Sequence, residues 1–301
     1  MSKIIIIGSS NTDMVIKAPK LPLPGETVMG GKFLMNPGGK GANQAVTSAR
    51  LGCPTVFICK VGNDVFGKMA LQQFEKEGIQ TDFVFTDAEQ PSGVALINVD
   101  MQGENSITVA PGANAFLSPA NIDKASAIFE KDDLILMQLE TPLETVEYVV
   151  NKFHQTEATI ILNPAPATPL KEDILKYLTV ITPNETEAEI LTGISVVNED
   201  GLRKAANILR EKGVKNVVIT RGSKGAYILS DEFEGMVASV KVEAVDTTAA
   251  GDCFNGALAV GLFEKMSLKE AVQFACKAAA ASVKKMGAQS SIPYRKELMV
   301  S

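Results

Sequence analysis

The chain has 301 residues, 46% of them hydrophobic, and a formal charge of −6. That length suits one large α/β domain or two smaller ones, with ample material for a core. The acidic balance, with no block of Lys or Arg, argues against nucleic-acid and anionic-membrane partners.

In chain order, Ile4-Ile-Ile-Ile-Gly8 is an apolar run far too short for a signal peptide, and a buried first strand is predicted over 3–8. Further strands are predicted over 55–61, 133–139, 158–162, 178–182, 216–220, 225–229 and 237–245. Helical patterns cover 41–51, 64–77, 120–130, 143–153, 185–191, 201–211, 255–263 and 268–283. The last is the most apolar, yet Lys269, Glu270 and Lys277 interrupt it, and no run approaches the roughly 18 apolar residues of a membrane span. Strands rich in Ile, Val and Leu, alternating with helices, indicate a mostly parallel sheet covered on both faces. Right-handed crossovers then give a three-layer α/β/α, doubly wound fold over residues 1–301, read as one domain. Its ligands belong beyond the carboxyl ends of the strands.

Two stretches depart from that alternation, about 13–36 and 93–110, the second reading as a β-hairpin. Together they predict a small antiparallel sheet inserted into the α/β body. It suits a lid, a dimer surface, both, or a plain edge extension. Cys53, Cys59, Cys253 and Cys276 form no C-x-x-C pair and read as reduced thiols of a cytoplasmic protein. The single histidine, His154, rules out chemistry that needs two.

Candidate chemistry gathers at the predicted strand ends. Asn11 and Asp13 follow the first strand and can accept from sugar hydroxyls; Glu140 follows the strand over 133–139. The cluster Pro37-Gly-Gly-Lys-Gly-Ala-Asn43 opens a helix and offers backbone N–H groups with Lys40 and Asn43. It is neither a Walker A loop nor a Rossmann fingerprint, and both patterns are absent from the chain. Asn184-Glu-Thr-Glu187 suits a helix cap or a water-coordinated Mg²⁺. Thr220-Arg-Gly-Ser-Lys-Gly225 suits backbone contacts to a nucleotide or a tight hairpin. Most informative is Asp246-Thr-Thr-Ala-Ala-Gly-Asp252, where a helix starts with Asp252 in its first turn. A first turn attracts anions, so a carboxylate there is either a dipole-complementing cap or a base beside an anion hole.

These motifs, with Leu162-Asn-Pro-Ala-Pro-Ala167 and Gly287-Ala-Gln289, resemble the ribokinase-like carbohydrate kinase family over effectively the whole chain. The resemblance implies ATP-dependent phosphorylation of D-ribose at O5, feeding ribose catabolism and the pentose phosphate pathway. Another sugar or nucleoside kinase of the same fold, or a non-catalytic sensor, remains the alternative. It implies that Asp252 is the catalytic base and that the backbone of Ala249, Ala250 and Gly251 forms the anion hole. Ribose would be held by Asn11, Asp13, Gly39, Lys40, Gly41, Asn43, Glu140 and Asp252. ATP would be held by Asn184, Thr220, Gly222, Ser223, Gly225 and Gly251, with Cys276 where relatives carry a larger polar residue. Glu187 would organise Mg²⁺ through water, and Asp246, Thr248, Ser282, Lys285, Gly287 and Ser291 would hold K⁺, mostly through carbonyls. The family's usual arrangement is a homodimer through the lid.

Overall fold

A computed structural model describes residues 2–299. Its elements begin β1 (Ile4–Ile7), β2 (Asn11–Lys17), β3 (Lys32–Gly38), α1 (Lys40–Arg50), β4 (Thr55–Gly62), α2 (Val65–Lys76), β5 (Val84–Asp87), β6 (Gly93–Val99) and β7 (Asn105–Ala110). They continue α3 (Pro119–Ala125), β8 (Leu134–Met137), α4 (Leu143–Phe153), β9 (Thr159–Leu162), α5 (Glu172–Leu175), β10 (Val180–Ile181), α6 (Glu185–Thr192) and α7 (Glu199–Glu211). Last come β11 (Asn216–Thr220), β12 (Ala226–Leu229), β13 (Glu234–Val237), α8 (Ala250–Phe263), α9 (Leu268–Ser282) and α10 (Arg295–Met299).

The four isoleucines of β1 explain the layering. Successive strand side chains point to opposite faces. Ile4 and Ile6 therefore pack into one apolar cluster with α1, α8 and α9, while Ile5 and Ile7 join α4 and α7 in another. A sheet buried on both sides between helices is the expected three-layer fold. Strand order is β13-β12-β11-β10-β9-β8-β1-β4-β5. All neighbours from β11 to β5 pair in parallel; β12 and β13 add an antiparallel edge. β1 lies between β4 and β8, so the crevice past its carboxyl end is the switch point where such sheets hold ligands. Among the described residues, no helix is long and apolar enough to cross a membrane.

The inserted sheet has the order β3-β2-β6-β7. It is not purely antiparallel as predicted, because β2 and β6 run in parallel. Two hairpin-like pairs, β2–β3 and β6–β7, come from distant parts of the chain and meet along β2 and β6.

Other differences have local causes. The predicted strand over 237–245 is contradicted: β13 ends at Val237, opposite Ala226, the first residue of β12. Beyond that point the chain has no ladder partner, and its apolar alternation serves a cavity wall through Val240, Val242 and Ala244. The helix predicted over 120–130 is shorter, α3 giving way to a 3₁₀ turn at Ser126–Ile128. Strands β8 and β10 are trimmed at both ends relative to the reading. The short elements β5, α5 and α10 carry too little periodicity to have been predicted.

Helices α1 and α8 approach closely at Gly256, where a Cβ would stand 2.6 Å from Thr47 Cβ and 2.9 Å from the Gln44 carbonyl. Gly256→Ala is expected to destabilise the protein by about 1–3 kcal/mol despite the better helix propensity of Ala. A urea midpoint at or above that of the unmodified chain would contradict this close packing.

Candidate active site

The site forms where the ends of β1, β8 and β9 meet the first turns of α1 and α8. Glycines set the approach. A Cβ on Gly41 would lie 2.6 Å from Ser9 N, and one on Gly39 would lie 2.7 Å from Asn11 N. Gly39 also takes φ +90°, a left-handed conformation that disfavours side chains. The start of α1 can therefore rest directly on the β1–β2 connection. Glu140 locks that contact: its Oε2 accepts from Ser9 Oγ (2.5 Å) and Lys40 N (3.1 Å). Gly38 leaves room for Asp13, whose Oδ2 would be 2.3 Å from a Cβ there.

Asp252 is only 7% exposed. Asn43 Nδ2 donates to its Oδ2 (2.9 Å) and Gln44 Nε2 to its Oδ1 (3.1 Å). Burial pushes its carboxyl above the usual range, and Lys40, Asn43 and Gln44 oppose that rise. Burial, with the neighbouring Glu140 and Asp252, likewise lifts Asp13 to about 6, against the pull of Lys40. Burial by itself would lower Lys40; the surrounding Asp252, Glu140, Glu187 and Asp13 outweigh it and raise the ammonium. One cation thus stands among four carboxylates.

The turn before α8 carries Ala249 at φ 60°, left-handed for a residue with a Cβ. Its geometry refines the expected anion hole, because Ala250 N–H is already spent on Thr247 O (3.2 Å). Among the described residues, the N–H groups of Ala249, Gly251 and Asp252 have no acceptor, and nothing lies within 4 Å of a Cβ built on Gly251. Three unpaired amides thus stand at the positive end of a helix dipole, and Gly251 borders open space.

That open space belongs to a 490 Å³ cavity. Thr220, Gly222, Ser223 and Gly225 line it, with Ala250, Gly251, Phe254, Cys276 and Val283, so the residues expected on the nucleotide side converge. β11 and β12 form a hairpin closed by a 3₁₀ turn at Gly222–Lys224, and Gly222 and Ser223 of that turn line the cavity. Asn184 stands apart from that wall. It caps α6, with its Oδ1 accepting from Glu187 N and its own N–H donating to Glu187 Oε2, each at 2.8 Å.

Asp246 lies outside the crevice and ties two loops together. Its Oδ2 accepts from Gly287 N (2.8 Å), and its Oδ1 accepts from Thr248 N (2.9 Å) and Thr248 Oγ1 (2.6 Å). Ser282 and Ser291 spend their hydroxyls on local carbonyls, and Lys285 pairs with Glu297. Cys253 is fully buried, and burial pushes its thiol up to about 12, far from a reactive thiolate.

Sequence reasoning missed several contributors. Ser9 holds Glu140, and Asn114 Nδ2 donates to Asn11 Oδ1 (2.8 Å). Gln44, directly after the glycine cluster, had a signal in its position, whereas Asn114 had none in its surroundings.

The family model described as pfkB family carbohydrate kinase matches residues 1–295. The chain is 44% identical to a ribokinase of Haemophilus influenzae, over 98% of this chain and 96% of that protein. It is 40% identical to a deoxyribokinase of Salmonella typhi, over 96% and 95%. A solved structure of Arabidopsis thaliana ribokinase complexed with ribose and ATP superposes with a TM-score of 0.91 at 30% identity, covering 100% of this chain and 98% of that one. A match along nearly the whole length, on a fold whose glycine cluster and α8 turn meet at one crevice, means that this chain belongs to the pfkB family of carbohydrate kinases.

Proposed function

We propose that this protein transfers the γ-phosphoryl group of ATP to O5 of D-ribose, giving D-ribose 5-phosphate. One observation carries the reading. The first turn of α8 borders the nucleotide-sized cavity through Ala250 and Gly251 and offers Asp252 to the polar crevice beside Asn43 and Lys40. Relatives named for ribose and ATP support the choice of substrates.

In the reaction, Asp252 accepts the proton of the 5-hydroxyl as that oxygen bonds to the γ-phosphorus. The bond to the β-phosphate oxygen breaks and ADP leaves. Its raised carboxyl is a stronger base than an exposed aspartate, while Asn43 and Gln44 favour the ionised form. The unpaired N–H groups of Gly251 and Asp252 meet the charge on the transferred group. Asn11, Asp13, Lys40, Asn43 and Glu140 orient the sugar, helped by the close approach that Gly39 and Gly41 permit.

Four carboxylates around one ammonium would repel bare ATP. This donor set fits Mg²⁺, held through water by Glu187, which would supply neutralising charge to the phosphates. The segment from Asp246 to Thr248 fits a monovalent cation. Carbonyls of Asp246, Thr248, Lys285, Gly287 and Ser291 accept no hydrogen bond from the described residues, and K⁺ suits such donors, whereas Ser282 O already accepts from Lys285 N (3.1 Å). Ile16, Phe33, Met35, Leu96 and Ile107 of the inserted sheet are 41–59% exposed, which supports a homodimer formed through the lid. All four cysteines are free and buried, in keeping with a cytoplasmic setting.

Phosphorylation of 2-deoxyribose is the second reading, favoured by the 40% identical deoxyribokinase. A site built to bind a hydroxyl discriminates strongly against a sugar that lacks it. ADP release measured with ribose, 2-deoxyribose, fructose and adenosine separates the readings, and ribose is expected to give the highest kcat/KM. In the same assay Asp252→Asn should lower kcat by about 10²–10⁴ while ribose still binds. Wild-type turnover in that variant would remove Asp252 as the base.

Asp13 generates a pH prediction. Its folded pKa of about 6 exceeds the ordinary aspartate value of 3.8, so ionising it costs the empty protein stability at neutral pH, and that cost fades as pH falls below about 6. Its acceptor fades in the same window. The KM for ribose should therefore rise by up to about 10-fold from pH 7 to pH 5, and Asp13→Asn should flatten the profile. A profile unchanged by that substitution would exclude Asp13 as the titrating ligand. Finally, turnover should be several-fold higher in K⁺ than in Na⁺ at equal ionic strength; equal rates would refute the carbonyl cation site.

A further inference from the structure

Behind Asp252 runs a circuit of buried amides and one hydroxyl whose own side chains form no part of the cavity wall. Gln44, Gln138, Asn163, Thr182 and Asn255 are each at most 6% exposed. Gln138 Nε2 donates to Gln44 Oε1 (2.6 Å), which fixes the orientation of the Gln44 amide. Gln44 Nε2 therefore faces two acceptors, Asp252 Oδ1 and Asn163 Oδ1, both at 3.1 Å. Asn163 Nδ2 donates to Thr182 O (3.3 Å), and Thr182 Oγ1 donates to Asn255 Oδ1 (2.5 Å). Asn255 Nδ2 then donates to Gly251 O (2.8 Å). Gly251 precedes Asp252, so the circuit closes on the residue where it began.

Its last link has a geometric consequence. Gly251 C=O and Asp252 N–H belong to one planar trans peptide and point in opposite directions. Within α8 the helix already aims the Gly251 carbonyl along its axis and the Asp252 N–H toward its open N-terminal end, where that N–H has no acceptor among the described residues; the bond from Asn255 Nδ2 reinforces this orientation. The same circuit grips the Asp252 carboxylate through Gln44. Base and phosphoryl-binding amide are thus fixed relative to each other by groups at the ends of β8, β9 and β10, which belong to the rigid central sheet.

We propose that Gln44, Asn163, Thr182 and Asn255 are positioning residues for phosphoryl transfer, holding the Asp252 carboxylate and the Gly251–Asp252 peptide as one unit. The proposal rests on the reading of Asp252 as the base. It assigns these residues a share of kcat and none of sugar affinity.

Steady-state kinetics with ribose and MgATP on the full chain tests it. Thr182→Val keeps the shape and removes the hydroxyl, whereas Thr182→Ser keeps the hydroxyl and removes a methyl. The circuit requires Ser to stay within about twofold of wild type, and Val to lose roughly 5–50-fold in kcat with ribose KM little changed. A packing role requires the reverse order, and Val at least as active as Ser would overturn the proposal. Gln44→Met, close in volume, should lower kcat by about 10–100-fold. In the Asp252→Asn background it should change the residual turnover by less than about threefold, because its partner is already altered. Equal factors in both backgrounds, or a loss confined to ribose KM, would also overturn it. Should Gln44→Met not fold, the Thr182 pair decides alone. Full turnover in Asp252→Asn itself would instead defeat the reading of the base, an outcome distinct from failure of the circuit.

Discussion

A carboxylate buried at the positive end of a helix, and held there by side-chain amides, is the constraint on which the remainder of the molecule depends. Burial makes Asp252 basic, and the amides of Asn43 and Gln44 keep it aligned. Both donors come from α1, so α1 and α8 must bring their first turns to the same point. That demand accounts for Gly256 at the helix contact and for Gly39 and Gly41 against the β1–β2 connection. The sheet order then brings the ends of β8 and β9 beneath the same crevice.

The two halves of the site use different physics. The cavity proposed for the nucleotide has largely apolar walls, with Val240, Val242, Phe254 and Val283 around an open volume. The crevice proposed for the sugar is lined by polar groups, of which Glu140 and Asn11 already accept bonds within the protein, whereas Asn43 Oδ1 is buried without a partner. A flat aromatic base suits the first environment; a small molecule with a hydroxyl on almost every carbon suits the second. The α8 turn is the seam between them.

The layered fold was legible because its signals are long and redundant. Four consecutive isoleucines in β1 can only be a strand buried on both faces, and the strand–helix alternation repeats along the chain. The placement of the glycine cluster and of Asp252 in first helical turns was legible as well, since Gly39 and Gly41 meet a backbone requirement few other residues can. What stayed hidden depends on distant partners. The segment after Val237 looks like a strand until the end of β12 deprives it of a neighbour. The parallel join of β2 and β6 follows from where two remote hairpins meet, which no local pattern records. Asn163, Thr182 and Asn255 are ordinary polar residues in sequence and become a network only when three strand ends and a helix converge.

The crowding of Asp13, Glu140, Glu187 and Asp252 about Lys40 bears on how this enzyme can evolve. An unfilled pocket of mutually repelling acids is a weak spot, and arriving ligands that relieve the repulsion toughen the whole molecule by mass action. Heat resistance gained by neutralising those acids would come out of catalytic power. A lineage under thermal selection is thus steered toward reinforcing helix packing and surface loops, leaving the acidic heart as it is.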